Sequence, residues 1–323
     1  MHKRLISIFV AIGIGVSFSA FANEEGFDGY VDKLKVEARE KGISEPIIGA
    51  AFNGIKYTAH AVKADNNQPE KKLSLEQYII RAVPDWKVKQ ANRLYQQNKV
   101  ALERIGQQYG VQPRFIVALW GVESNFGKIQ GNYHVIEALA TLAYDGRREA
   151  LFRKQVMAAL EILQDGHITI DDMKGSWAGA MGQCQFMPTS YLTYAVDGNG
   201  DGKADIWNTK ADVFASAANY LKLSGWNSEY TWGRPVKLSQ VLADTYEGTE
   251  IEKGKTLAQW QQLGVMSNNN GILPNAEIQA WLIQPDGGEG KSYLIYENYR
   301  TLLKWNRSHY FALAVSALAD RIQ

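Results

Sequence analysis

The sequence predicts a mainly helical α+β chain: a helical body carrying a small mixed lobe near 226–300. Three observations predict it. Apolar residues recur at helical spacing through most of the chain up to about residue 224. Between 226 and 300 turn formers increase and the apolar runs shorten to strand length. Tyr310 to Ile322 then reads as a buried helix. At 323 residues, 46% hydrophobic and 21% charged, the chain can bury a large core and is not of disordered composition. A net charge of +1 excludes the strong basic field of a nucleic-acid binder.

The chain opens with His2, Lys3 and Arg4, then an apolar, uncharged run from Leu5 to Phe18. Ala20-Phe21-Ala22 fits a small-x-small cleavage site. Residues 1–22 therefore read as a secretory signal peptide removed after Ala22. The alternative, an uncleaved membrane anchor, is disfavoured because the run is short for a bilayer. Residues 23–323 are expected as one domain, soluble and without stable membrane insertion after signal removal. The sole cysteine, Cys184, cannot close an internal disulfide, so the fold rests on packing.

Tyr30, Leu34, Val36 and Ala38 predict a helix over 27–42, stopped by Gly42. Ser44-Glu45-Pro46 opens the next. Leu75 to Ala82 is helical and stops before Pro84. Residues 85–109 form one long amphipathic stretch closed by Gly110. An apolar helix follows from Arg114 to Ser124, with Gly127 as its expected stop. Further helices are expected at 133–145, 147–164, 188–196 and 210–224. In the mixed lobe, Ala280–Gln284 and Ser292–Glu297 read as strands joined through Pro285-Asp286-Gly287-Gly288, a hairpin.

Glu123 is the first site candidate. It lies near a helix end between apolar neighbours, and Gly121 is expected to leave a space beside it. A carboxyl in a dry pocket has its pKa raised, stays protonated and can act as general acid. On local sequence alone, a solvated helix glutamate is the commoner reading. The second candidate runs from Ser176 to Pro188. Its small residues permit close backbone approach. Ser176 and Gln185 can hydrogen-bond sugar hydroxyl and acetamido groups, and Phe186 can floor a subsite. A tightly packed turn explains the same residues equally well.

The third candidate, residues 197–208, matches an EF-hand-type calcium loop. Asp197, Asn199 and Asp201 would offer side-chain oxygens and Lys203 its carbonyl. Asp205 stands at the ninth position. Asn208 holds the twelfth, where a bidentate Glu is usual, so weak binding is expected, with a Kd on the order of 10⁻⁴–10⁻³ M. The ion would be structural, Ca²⁺ or Na⁺, with no cofactor for chemistry. An Asx-rich turn capping the next helix is the alternative. Arg147-Arg148 can hold a carboxylate or sit on a solvated helix end. The histidines are too scattered for zinc, and no phosphate loop or Gly-x-Ser-x-Gly elbow is present.

Together these segments resemble the lytic murein transglycosylases of the membrane-bound lytic transglycosylase B type. The matching runs are Gly121-Val122-Glu123-Ser124-Asn125-Phe126-Gly127, Ser176 through Tyr191, and Tyr194-Ala195-Val196 leading into the Asp-rich loop. Asn219-Tyr220-Leu221, Trp305-Asn306-Arg307-Ser308 and Ala312-Leu313-Ala314-Val315 follow. The resemblance spans roughly Leu73 to Asp320. It implies a lysozyme-like core with a helical lobe and a smaller β-containing lobe around a deep groove. It also implies cleavage of the β-1,4 bond between N-acetylmuramic acid and N-acetylglucosamine, with Glu123 as single acid and base and a 1,6-anhydromuramoyl product. By motif position Ser176, Gln185 and Tyr220 would line the groove, with Asn306 near the reacting sugar. Arg147 and Arg148 would meet muramyl peptide or lactyl carboxylates. A lysozyme-type hydrolase and a non-catalytic peptidoglycan-binding protein are the alternatives.

Departures are visible. The lipidated cysteine of many members is missing, which favours a soluble periplasmic form. Trp305 stands where Tyr is common, so a hydroxyl role there is lost. Gln183 and Cys184 are expected to alter subsite shape. The expected partner is the peptidoglycan glycan strand, bound by a monomer.

Overall fold

Alternation of buried and exposed positions along the helices drives them into one body with a sheet against it. The computed structural model describes residues 24–66, 73–269, 271–288 and 290–323. The expected signal peptide lies outside them. The N-terminal half carries α1 (Glu24–Glu40), α2 (Glu45–Ala51), α3 (Ala59–Asn66), α4 (Leu75–Ala82), α5 (Asp85–Gln97), α6 (Lys99–Tyr109) and α7 (Pro113–Ser124). Then come β1 (Tyr133–His134), α8 (Val135–Tyr144), α9 (Glu149–Gln164), β2 (Lys174–Gly175), α10 (Pro188–Tyr194) and α11 (Lys210–Leu223). The mixed lobe holds β3 (Gly233–Leu238), β4 (Lys255–Thr256), α12 (Leu257–Gln262), β5 (Val265–Ser267), β6 (Gln279–Ile283) and β7 (Ser292–Ile295). The chain ends with α13 (Glu297–Trp305) and α14 (His309–Ala319). No helix among the described residues is long and apolar enough to cross a membrane.

The expected stretch over 85–109 is two helices. Asn98 leaves helical geometry at φ −113° and ψ 13°, and its side-chain amide donates to the Leu94 carbonyl at 2.8 Å. That bond competes with helix continuation, as short amide side chains do. Gly110 then closes α6 in the left-handed conformation.

The lobe is an antiparallel sheet of order β4-β6-β7-β3-β5. The expected hairpin is its centre, with Trp281 opposite Ile295 and Ile283 opposite Tyr293. Alternate residues face opposite cores. Trp281, Ile283, Tyr293 and Ile295 join the helical core, while Ala280, Leu282, Leu294 and Tyr296 join Leu257, Trp260 and Val265. A sheet covered on both faces needs continuous apolar runs, which made β6 and β7 legible. β3 was not legible, because Pro235 argues against a strand. β5 pairs only with Val236 to Leu238, so Pro235 occupies an edge position beside β7.

At the centre of the helical body, α7 is buried from Phe115 to Gly121 and packs against α14, α5, α11 and α6. α14 is Ala-rich and buried from Phe311 to Ser316, which lets it lie close to α7. Glu123 therefore stands in the last turn of a helix buried along most of its length.

Candidate active site

Helix α7 ends abruptly beside Glu123. Asn125, Phe126 and Gly127 take φ of 49°, 62° and 81° in succession. Asn125 and Phe126, with Gln185 at φ 50°, are the non-glycine residues of positive φ among those described. Such conformations cost about 1–3 kcal/mol each and persist where surrounding packing imposes them. The stop is thus at Asn125, two residues before the expected Gly127. Nor does Gly121 open a space beside Glu123. A Cβ there would lie 2.7 Å from the Phe126 ring and 3.0 Å from Leu318, so those side chains occupy the room.

Glu123 is half-buried, its carboxyl lodged among apolar groups. Burial pushes its pKa up to about 8, against the opposing pull of one hydrogen bond, which the Trp305 indole donates to Oε1 at 2.6 Å. No neighbouring carboxylate contributes to the shift. Trp305 closes α13 and its ring packs on Phe186 and Tyr220, at centroid distances of 5.2 and 4.6 Å. Tyr194 stacks obliquely on Tyr220 at 4.3 Å. The Tyr220 hydroxyl donates to the Lys304 carbonyl at 2.7 Å, fixing the end of α13. Burial pushes the Tyr220 phenol up to about 12, so it stays a hydroxyl. In the sequence Trp305 stands only for a lost hydroxyl. The signal it carried was the ring's donor-only N–H.

The segment before α10 folds back on itself. Met181 bridges both Gly175 and Phe186. The Ser176 hydroxyl oxygen accepts the Ala178 and Ala180 amides at 3.3 and 3.0 Å, leaving its proton to donate outward. Gln185 gives its amide hydrogens to Gln130 and Gly182 carbonyls at 3.2 and 2.8 Å, so its carbonyl oxygen is what it can offer a ligand N–H. Phe186 is only 3% exposed and supports Trp305 and Tyr220 from beneath. Asn306 follows Trp305 directly and is exposed, its amide oxygen accepting the Ser308 N–H.

Gln183 and Cys184 sit behind this surface rather than on it. The Gln183 amide accepts the Trp120 indole at 2.6 Å and donates to the Trp207 carbonyl at 2.8 Å. Burial raises the Cys184 thiol far above its ordinary value, with a smaller push from Glu123. Their identities set the internal packing under Glu123.

Arg147 and Arg148 belong to a different cluster. Both guanidiniums close on Asp65 of α3, whose side chain is 2% exposed, and each remains partly open to solvent. Removing Asp65 leaves two guanidiniums that water still reaches, so the cost falls below that of a fully buried pair, about 3–5 kcal/mol. Asp65→Ala is therefore expected to lower the thermal midpoint by several degrees, read by differential scanning calorimetry. A midpoint within a degree of wild type would place the pair outside the stabilising contacts.

Loop 197–208 is preorganised. Asp197 accepts amides of Asn199, Gly200, Asp201 and Gly202, at 3.2, 2.6, 3.3 and 2.7 Å. The Gly202 bond, foremost among them, holds its carboxyl below the ordinary value. The loop wraps the buried Asp212 of α11, which accepts Gly198 and Asp205 amides at 2.9 and 2.8 Å. Asn208 turns its amide onto Asp205. Among the described residues no three His, Cys, Asp or Glu side chains gather as a metal group. The loop thus presents Asp197 and Asp201 with the Asn199 amide, an oxygen set of low charge. Its far end reaches the site, because the Trp207 carbonyl also accepts the Gln130 amide at 3.2 Å.

Comparison with known proteins fits this geometry. The family described as transglycosylase SLT domain matches residues 26–320. Membrane-bound lytic murein transglycosylase B of Escherichia coli is 35% identical over 236 residues, which is 71% of this chain. The match spans 62% of that relative's length, under two thirds. SltB3 from Pseudomonas aeruginosa, solved in complex with NAG-NAM-pentapeptide, superposes with a TM-score of 0.87 at 41% identity, covering 91% of this chain and 79% of that one. The Escherichia coli lytic transglycosylase Slt35 in complex with calcium gives a TM-score of 0.77 at 28% identity, covering 94% of each.

Proposed function

This chain belongs to the transglycosylase SLT domain family, and we propose that it cleaves peptidoglycan glycan strands with Glu123 as sole catalytic acid and base. The observation that carries this is the half-buried Glu123 carboxyl, held by the Trp305 indole and raised to about 8 by desolvation with no carboxylate partner. At pH 7 such a group is protonated about ten to one.

Glu123 gives its proton to the glycosidic oxygen as the bond from muramic C1 breaks. Hydrolases use a second carboxylate to activate water or to attack C1. Here the sugar's own 2-acetamido oxygen bonds to C1 and takes up the developing charge. Glu123, now a carboxylate, removes the proton from the 6-hydroxyl, whose oxygen displaces the acetamido group at C1. The product is a 1,6-anhydromuramoyl end, Glu123 is reprotonated, and no water is consumed. The Ser176 hydroxyl and the Gln185 carbonyl would orient the acetamido group, with Asn306 beside the reacting sugar and Tyr220, backed by Phe186, behind it. Arg147 and Arg148, half open beside Asp65, would meet a carboxylate of the peptide stem. The mature chain, cut after Ala22, would work in the periplasm as a monomer.

Mass analysis of fragments released from purified sacculi tests the reaction. Anhydro ends one water lighter than reducing ends are expected; reducing muramic ends alone would make the enzyme a hydrolase.

Asp197, Asn199, Asp201 and the Lys203 carbonyl suit a hard cation held for structure, Ca²⁺ or Na⁺, with Asn208 as a neutral twelfth position. At about ten times Kd an ion that binds only the folded chain adds about 1.4 kcal/mol, and calcium at about 10 mM is expected to raise the melting midpoint by about 2 °C. Chelation should reverse that gain while lowering specific activity less. Unchanged melting would remove the cation.

A further inference from the structure

We propose that Trp305 is a positioning residue that occupies Glu123 Oε1, so that Oε2 alone carries the acid's proton. This rests on the reading of Glu123 as the acid. A neutral carboxyl has one carbonyl oxygen, the better acceptor, and one hydroxyl oxygen. The indole N–H is a donor with no acceptor role, and it lies 2.6 Å from Oε1. Oε1 is therefore the carbonyl and the proton sits on Oε2. A tyrosine hydroxyl in the same place could donate or accept, and would leave the two oxygens interchangeable.

The indole is held in this role from two sides. Phe186 and Tyr220 pack on its ring. The backbone just before it is pinned, because the Lys304 carbonyl accepts the Tyr220 hydroxyl at 2.7 Å and the Lys304 amine donates to the Ser224 carbonyl at 2.7 Å. Among the described residues no charged side chain contributes to the Glu123 shift, and the Cys184 thiol, kept neutral by burial, interacts with it electrostatically. The lysine amine is committed to Ser224. The indole bond also favours the carboxylate that forms on the first proton transfer, which eases the acid step.

The test compares the full chain with Trp305→Phe, Trp305→Tyr and Glu123→Gln on a defined murein glycan across pH 5 to 9. Trp305→Phe is expected to lower kcat about 10–100-fold, as misplacement of a reacting group does, with KM changed less than about threefold. Its alkaline limb should move to higher pH than wild type, because the donor that favours the charged form is gone. Trp305→Tyr should return the limb, since its hydroxyl can donate, but recover kcat only in part, since the same hydroxyl can also accept and no longer fixes which oxygen holds the proton. A rise in KM at unchanged kcat, or an unmoved limb, would overturn the proposal and leave Trp305 a sugar-stacking surface. If Trp305→Phe does not fold, benzothienylalanine at 305 keeps the ring shape and lacks the N–H; unchanged kcat there overturns the proposal equally. An inactive Glu123→Gln beside a wild-type-like Trp305→Phe defeats this inference alone. An active Glu123→Gln defeats the reading of Glu123 itself.

Discussion

Glu123→Gln lowers turnover of murein sacculi by about 10²–10⁴ while leaving sacculus binding near wild type, because it removes the proton and little else. The amide oxygen can still accept the Trp305 indole, so the site keeps its shape. Equal binding and undiminished turnover would remove Glu123 from the chemistry. Equal binding with no turnover in either protein would instead mark a binding module. The same substitution has a signed effect on stability. The folded pKa of Glu123 lies near 8 against an ordinary 4.5. The folded chain therefore binds more protons than the unfolded chain between those values, and stability falls as pH rises through that window. Below about pH 4.5 the carboxyl is neutral in both states and costs nothing. The Gln variant escapes the penalty, so it should melt higher than wild type at pH 8 and level with it near pH 4. In activity, the acid must hold its proton, so wild-type kcat/KM should decline as pH passes about 8.

Gly131→Ala costs about 2–4 kcal/mol and lowers the melting midpoint by about 5–10 °C. Gly131 has φ +88°, and a Cβ there would sit 2.0 Å from the Gly175 carbonyl oxygen and 2.5 Å from the Ser176 nitrogen. Both obstacles are backbone, so no side chain can turn away. The pressed segment is the β1–β2 pairing, Tyr133 opposite Gly175, which seats Ser176. Activity should therefore fall at temperatures well below the melt, through KM as well as kcat. Gly42→Ala is the control for positive φ alone, because nothing lies within 4 Å of a Cβ at Gly42. A Gly131→Ala midpoint no lower than that of Gly42→Ala would mean that the close approach carries no energy.

The helical body was legible because α7 and α14 are apolar on every side, and such sequences have only one place to go. Glu123 is a candidate from its apolar neighbours Trp120 and Val122, but local sequence alone favours a solvated glutamate, and it is the longer family motif around it that singles it out. What surrounds it was not legible. Gly121 was read as room for the acid, but left-handed turns at Asn125 and Phe126 swing the Phe126 ring into that room. Gln183 and Cys184 are expected from sequence to alter subsite shape, and in the fold they lie behind the surface, where the Gln183 amide joins Trp120 to Trp207. Trp305 lies 182 positions from Glu123, and no periodicity links them. Pairings of that kind depend on how α13 docks, which tertiary packing decides. Arg147 and Arg148 show the same limit, since their partner Asp65 comes from a short helix that carried no clear sequence signal.

Infrared difference spectroscopy between wild type and Glu123→Gln reads the protonation of this one group directly. A protonated carboxyl band present at pH 6 and lost with a midpoint near 8 is the predicted result. A carboxylate already formed at pH 6, with a midpoint near that of an exposed glutamate, would contradict a single half-buried acid as the source of catalysis.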